Sequence, residues 1–317
     1  GVTDKVFDGY LCLKISGCEL PDEVVKINIS NMKLKESNKN ELKLFINVTS
    51  VISNNNFLRL ENFDVFENLK SLQLSNNFIK YLSVSKMSFP QLESLDLSFN
   101  SISNPERLSK LRSLKILNLS KNGLTRIPES FRKLKKLKDL NLSFNEITEE
   151  TGLDLWNILS QLPNLINLYL SNNKISTIQE CKATMVNFYL RYLDLSGNQL
   201  VSEFDISSLY NMSFLERLDL SDNVCIKDRA FIAQNIKDQL KTHVIFTKDM
   251  KEPVNNERPY KQINLTTLPP VTKPLENKKD LFGFSLDCNK ENFEQGASRT
   301  KGFFIKTKRY FYCSDTY

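Results

Sequence analysis

An α/β solenoid of short stacked repeats is the fold class this sequence predicts, on three observations. The pattern L-x-x-L-x-L-x-x-N-x-L runs nine times between Val24 and Cys225. Its ninth positions (Met32, Asn56, Asn77, Asn100, Asn122, Asn145, Asn173, Asn198 and Asn223) fall 21 to 28 residues apart, a period that marks one supersecondary unit per copy. Within a copy the apolar residues alternate, as Leu95 and Leu97 do, whereas between copies they recur three or four apart.

Each element follows from that pattern. Residues 1–23 precede the first copy and read as an N-terminal cap. Residues 24–225 hold the repeats: two degenerate copies, Val24–Leu34 and Val48–Leu58, then seven that open at Leu69, Leu92, Leu114, Leu137, Leu165, Leu190 and Leu215. The alternating stretch of each copy predicts a short strand with every second residue buried. Stacked side by side, such strands form a parallel sheet on the concave face of a curved leucine-rich repeat solenoid. The Asn at position nine, from Asn56 through Asn223, is expected to satisfy backbone groups where the chain leaves the strand, because a buried turn cannot leave them unpaired. It is a structural ladder and not a ligand site.

The segments between strands are expected on the convex face. Asn104–Leu114 and Glu129–Leu137 have the spacing of short helices, with Pro105 and Pro128 where a helix can begin. The longest interval holds Leu153–Leu159, which predicts a longer helix with Trp156, the single tryptophan, against the core. Residues 226–249 read as a C-terminal cap, a helix over Arg229–Leu240 and a last strand over Thr242–Thr247, because an open apolar end must be covered. Residues 250–317 lose all periodicity and carry five prolines between Pro253 and Pro274, so they read as an extended arm with aromatic and basic docking segments.

Composition narrows the function classes. No run of about eighteen apolar residues exists to span a membrane, and the opening GVTDKVFDGY lacks the apolar stretch of a secretory signal. Six cysteines, Cys12, Cys18, Cys181, Cys225, Cys288 and Cys313, are scattered without the paired spacing of a zinc site or the tight flanking clusters of extracellular repeats. Six N-x-[ST] sequons occur, but Asn118 and Asn141 fall on strands where a glycan would crowd its neighbours. The expected compartment is intracellular.

Chemistry for catalysis is thin. His243 is the only histidine and falls in the capping strand, and no phosphate-cradling glycine motif is present. Asp96, Asp194 and Asp219 read as solvated strand positions. No catalytic, cofactor or metal site is therefore expected, and the chain is not expected to be an enzyme.

Binding surface is more plausible. The outward strand positions form a column of Gln73, Asp96, Asn118, Asn141, Tyr169, Asp194 and Asp219, with Tyr192 in its strand and Phe99, Lys121 and Phe144 just past theirs. Aromatic rings at such positions suggest an interface. Between Pro105 and Lys138, eleven Lys or Arg face two Glu, a local +9 against +6 for the whole chain. Lys133, Lys135 and Lys136 are the densest part of that patch, which should attract an acidic partner. The segment Ser298–Cys313 is basic as well and interleaves Phe303, Phe304, Lys308, Arg309 and Tyr310. No nucleic-acid module surrounds it, which argues for docking on another protein and against nucleic acid.

Leu42–Ile79, the run from Phe89 to Asn100, and the openings Asp8–Lys14 and Val25–Asn31 resemble the X-ray radiation resistance-associated leucine-rich repeat proteins, over roughly Asp8 to Asn223. The resemblance implies a non-enzymatic intracellular scaffold, and relatives of this kind are associated with cilia and flagella. The expectation is a protein–protein interaction scaffold of the ciliary or flagellar axoneme or its microtubule cytoskeleton, with tubulin or axonemal subunits as partners. The alternative is a soluble adaptor or regulatory subunit in signalling or nuclear stress response, in cytoplasm or nucleus.

Overall fold

The computed structural model describes residues 6–83, 88–148, 155–178, 189–223, 229–240 and 243–245. Their contacts fall into two compact units, residues 6–77 with 88–92 and residues 78–83 with 93–245.

In the first unit, β1 (Val6–Phe7) pairs in parallel with β3 (Glu36–Ser37). Helix α1 (Gly9–Ser16) starts because the Asp8 carboxylate accepts the Leu11 N–H at 2.8 Å, supplying an acceptor that the first turn lacks. It stops at Gly17, whose φ of 66° sends its N–H back to the Leu13 carbonyl. Helix α1 buries Cys12 and Leu13, and burial pushes the Cys12 thiol well above its ordinary pKa. Strands β2 (Lys26–Asn28), β4 (Ser50–Ile52) and β5 (Ser71–Gln73) run parallel with Ile27, Val51 and Leu72 in register. Helix α2 (Lys39–Leu42) lies between β3 and β4 in the chain. Phe7 packs 5.7 Å from Phe63 and 6.2 Å from Phe66, so the cap shares an aromatic core with the first repeats.

The second unit repeats one strand without interruption. β6 (Ser94–Asp96), β7 (Ile116–Asn118), β8 (Asp139–Asn141), β9 (Asn167–Tyr169), β10 (Tyr192–Asp194), β11 (Arg217–Asp219) and β12 (His243–Ile245) are each parallel to the next. Leu95, Leu117, Leu140, Leu168, Leu193 and Leu218 stand in one register row and are wholly buried. Burying each such side chain contributes about 1.5–3 kcal/mol, and no repeat can gain it without its neighbours. This is the leucine-rich repeat fold.

The returning segments are shorter than their spacing predicts. Asn104–Leu114 and Glu129–Leu137 yield only single 3-10 turns, Glu106–Lys110 and Glu129–Lys133. Copies 22 and 23 residues long must fit a strand and two reversals, which leaves room for one tight turn. The longest copy affords α3 (Leu155–Ser160), with Trp156 at 1% exposure. Helix α4 (Glu203–Ile206) and the 3-10 turn Ser207–Asn211 follow β10. Helix α5 (Arg229–Leu240) buries Ile232 and Ile236 one turn apart, and β12 carries His243. Residues 250–317, the expected arm, lie outside the described residues.

Candidate functional site

Two positions in each repeat set the geometry of the open face. The third strand residue is usually Asp or Asn, and its side-chain oxygen accepts the N–H two residues on: Asp96 from Ser98 at 2.8 Å, Asn118 from Ser120 at 3.0 Å, Asn141 from Ser143 at 3.0 Å, Asp194 from Ser196 at 2.9 Å and Asp219 from Ser221 at 2.9 Å. Those side chains cap the turn that ends the strand. They are far less solvated than the alternation predicts: Asp96 is 3% exposed and Asn118 5%. Side chains on strands about 5 Å apart shield one another, and the turn bond folds the carboxylate inward. Burial raises the Asp96 carboxyl to a pKa of about 6, although Ser98 hydrogen-bonds to it, and burial also raises Asp139 and Asp194.

The ninth position is occupied on both sides of its amide. Asn145 Nδ2 donates to the carbonyls of Leu119, Leu142 and Ser143 at 3.0, 2.9 and 3.3 Å, while its Oδ1 accepts the N–H groups of Asn122 and Leu124 at 3.2 and 3.1 Å. Asn122, Asn173, Asn198 and Asn223 make the same donations, and their oxygens accept the N–H of Ile102, Ile147, Ile175 and Leu200 in the preceding copy. Asn100 accepts from Ile79, and Asn56 and Asn77 accept from Leu34 and Leu58 in the first unit. These amides are fully engaged by backbone.

The residue before that Asn lies in the left-handed region in every repeat. In six copies it is Asn31, Asn55, Asn76, Asn172, Gly197 or Asp222, residue types that tolerate it. Three consecutive copies break the preference with Phe99 (φ 54°), Lys121 (φ 53°) and Phe144 (φ 56°). The structure brings these three together. The Lys121 ammonium lies 4.3 Å from the Phe99 ring centroid and 4.8 Å from that of Phe144, while the rings remain 52% and 42% exposed. An unfavoured backbone carrying exposed rings points to a surface that serves something other than the fold. Replacing Phe99 and Phe144 with Asn relieves about 1 kcal/mol of backbone cost at each. It forfeits cation–π contacts of about 0.5–1 kcal/mol, so calorimetry is expected to find stability nearly unchanged. A loss beyond about 2 kcal/mol would mean that the rings support the fold.

Tyr169 and Tyr192 also meet, at 5.1 Å between centroids and 56° between planes, but they are only 6% and 8% exposed. Burial, with Asp194 close to both, holds their hydroxyls above the ordinary tyrosine range. Lys133, Lys135 and Lys136 are exposed on the return between β7 and β8, and the neighbouring turn Glu106–Lys110 packs beside theirs. Lys135 donates to the Gln161 carbonyl at 2.9 Å. Phe303, Phe304, Lys308, Arg309 and Tyr310 lie outside the described residues. Sequence reasoning missed Asp139, which accepts a hydrogen bond from Asn167, and the exposed pair Tyr189 and Phe214, 4.9 Å apart. Both combinations come from adjacent repeats, visible only once the register is known. Among the described residues no group of acidic, cysteine or histidine side chains is placed to hold a metal ion, and no helix is long and apolar enough to cross a membrane.

Comparison with known proteins agrees with this geometry. The family described as Leucine rich repeat matches residues 104–147, and that described as Leucine Rich repeats (2 copies) matches residues 67–110 and 163–208. X-ray radiation resistance-associated protein 1 of Mus musculus is 30% identical over 224 residues, 70% of this chain. Tubulin-specific chaperone E of Bos taurus is 34% identical over 137 residues, 42% of this chain. In both cases the match spans 26% of the relative's length. Internalin C2 of Listeria monocytogenes superposes with a TM-score of 0.52 at 23% identity, over 63% of this chain and 82% of its own, a likeness of fold. Repeat period, strand register, asparagine ladder and family matches converge, and the chain belongs to the leucine-rich repeat proteins.

Proposed function

We propose that the chain is a non-enzymatic interaction scaffold of the ciliary or flagellar axoneme or its associated microtubules, with the basic turns of the second unit set against an acidic partner surface such as tubulin. The observation that carries this reading is the state of those turns. Arg107, Arg112, Arg126, Lys133 and Lys136 are exposed and have no ion-pair partner among the described residues, whereas Lys115 pairs with Glu93 at 2.8 Å and Arg132 with Glu129 at 2.5 Å. Unpaired like charge on adjacent turns repels itself, so its concentration there favours an acidic partner over stability. The similarity to a tubulin-specific chaperone supports the choice of partner.

Reversing Lys133, Lys135 and Lys136 to Glu tests it. All three are exposed, so melting should be unchanged within a few tenths of a kcal/mol. Co-sedimentation with microtubules is expected to weaken about tenfold or more at moderate salt, and the wild-type interaction to fade as salt is raised. Undiminished sedimentation would reduce the patch to solvation. Recovery of the chain in detergent-washed soluble protein, instead of the resistant axoneme, would favour the adaptor.

A further inference from the structure

The open face of β8 to β11 carries two register rows. One holds Asp139, Asn167, Tyr192 and Arg217, and the other Asn141, Tyr169, Asp194 and Asp219. Three carboxylates thus share the face with one guanidinium, inside a chain that is net positive.

Two features of this face exceed what the fold requires. The turn after each strand needs only a side-chain acceptor, which Asn118 and Asn141 provide at 3.0 Å. Asp194 and Asp219 provide it at 2.9 Å, accept the hydroxyl of the same serine as well, and add a negative charge beyond the neutral acceptor that suffices at Asn118 and Asn141. Among β6 to β11, β9 alone gives up the acceptor, and it places Tyr169 there. The Tyr169 hydroxyl is buried without a hydrogen-bond partner, on a residue only 6% exposed, and Asp139 and Asp194 stand close enough to act on it. An orphaned buried hydroxyl between carboxylates costs free energy unless something arrives to pair with it.

We propose that this face takes an arginine side chain from an extended basic segment of a partner protein. The planar guanidinium suits the site because it lies against tyrosine rings and donates in several directions at once, to Asp194, to Asp219 and to the Tyr169 oxygen. Asp194, Asp219, Asn167 and Arg217 remain part-exposed, so the site opens to solvent. The inference does not rest on the basic turns or on their partner.

The test uses the full chain and a fluorophore-labelled decapeptide of glycine and serine with two arginines, beside the same peptide with citrulline, which keeps the shape and removes the charge. Fluorescence anisotropy should find the citrulline peptide bound about tenfold more weakly, a step of 1.4 kcal/mol that one charge-assisted hydrogen bond supplies. The double variant Asp194→Asn/Asp219→Asn should bind both peptides equally weakly. Asparagine preserves the turn bond, so its melting temperature should not fall. Lys133→Glu/Lys136→Glu should keep the arginine preference, which separates this outcome from that of the basic turns. Equal binding of the two peptides by the wild-type chain, or an undiminished preference in the Asp194/Asp219 variant, overturns the proposal.

Discussion

Asn145→Ala is expected to destabilise the second unit severely. The amide lies 8% exposed and serves five backbone groups, among them the N–H of Leu124 and the carbonyl of Leu119, each belonging to the copy before. Alanine removes every partner while the surrounding packing prevents water from replacing them. A buried backbone group left unpaired costs about 1–3 kcal/mol. With at least two such groups, the loss should approach the several kcal/mol reserved for broken buried networks. Urea denaturation read by circular dichroism checks it, and a midpoint shift worth under about 1 kcal/mol would remove the ladder from the account of stability.

The second large effect runs the other way. Asp96→Asn is expected to stabilise the protein at pH 7, by about 2–3 kcal/mol if the whole pKa displacement is recovered. The carboxyl is 3% exposed and its pKa rises from 3.8 to about 6, burial outweighing the two bonds from Ser98. The folded state therefore holds this proton more tightly than the unfolded chain does. Its contribution is fully present below pH 4 and is lost as the pH rises through 6, the reverse of a salt-bridged carboxylate. Asparagine keeps the acceptor without the charge, as Asn118 and Asn141 already do in the next two repeats. Melting curves should show the variant's advantage full at pH 7.5, about half as large at pH 5 and absent below about pH 4; an advantage equal at pH 5 and pH 7.5 would assign it to packing.

How far the sequence reaches depends on whether a feature is local to one repeat. Strand positions, the asparagine ladder, the Trp156 helix and α5 are readable because each is set by spacing within a copy. The helices assigned to Asn104–Leu114 and Glu129–Leu137 are shortened to single 3-10 turns, since the pattern registers which residues are apolar but not how little chain is left between strands. The candidate surface is harder to read. Phe99, Lys121 and Phe144 attract notice as residues, yet their union around one ammonium depends on adjacent copies holding the same left-handed geometry. Tyr169 and Tyr192 look like display positions in an alternating strand. Lateral packing between neighbours, which no single-strand pattern contains, leaves only 6% and 8% of them exposed.

The ladder also has a direction. Every ladder asparagine from Asn122 to Asn223 accepts a hydrogen from the copy before it, and among the described residues none of these oxygens reaches forward. Each repeat is consequently completed by its successor. Shortening the array from the C-terminal side strips the last remaining turn of its acceptor, whereas shortening it from the other side leaves the N–H groups of every later turn served. Unravelling should thus begin at the late repeats and travel backward, and a graft that lengthens the array belongs inside it, where a successor is always waiting.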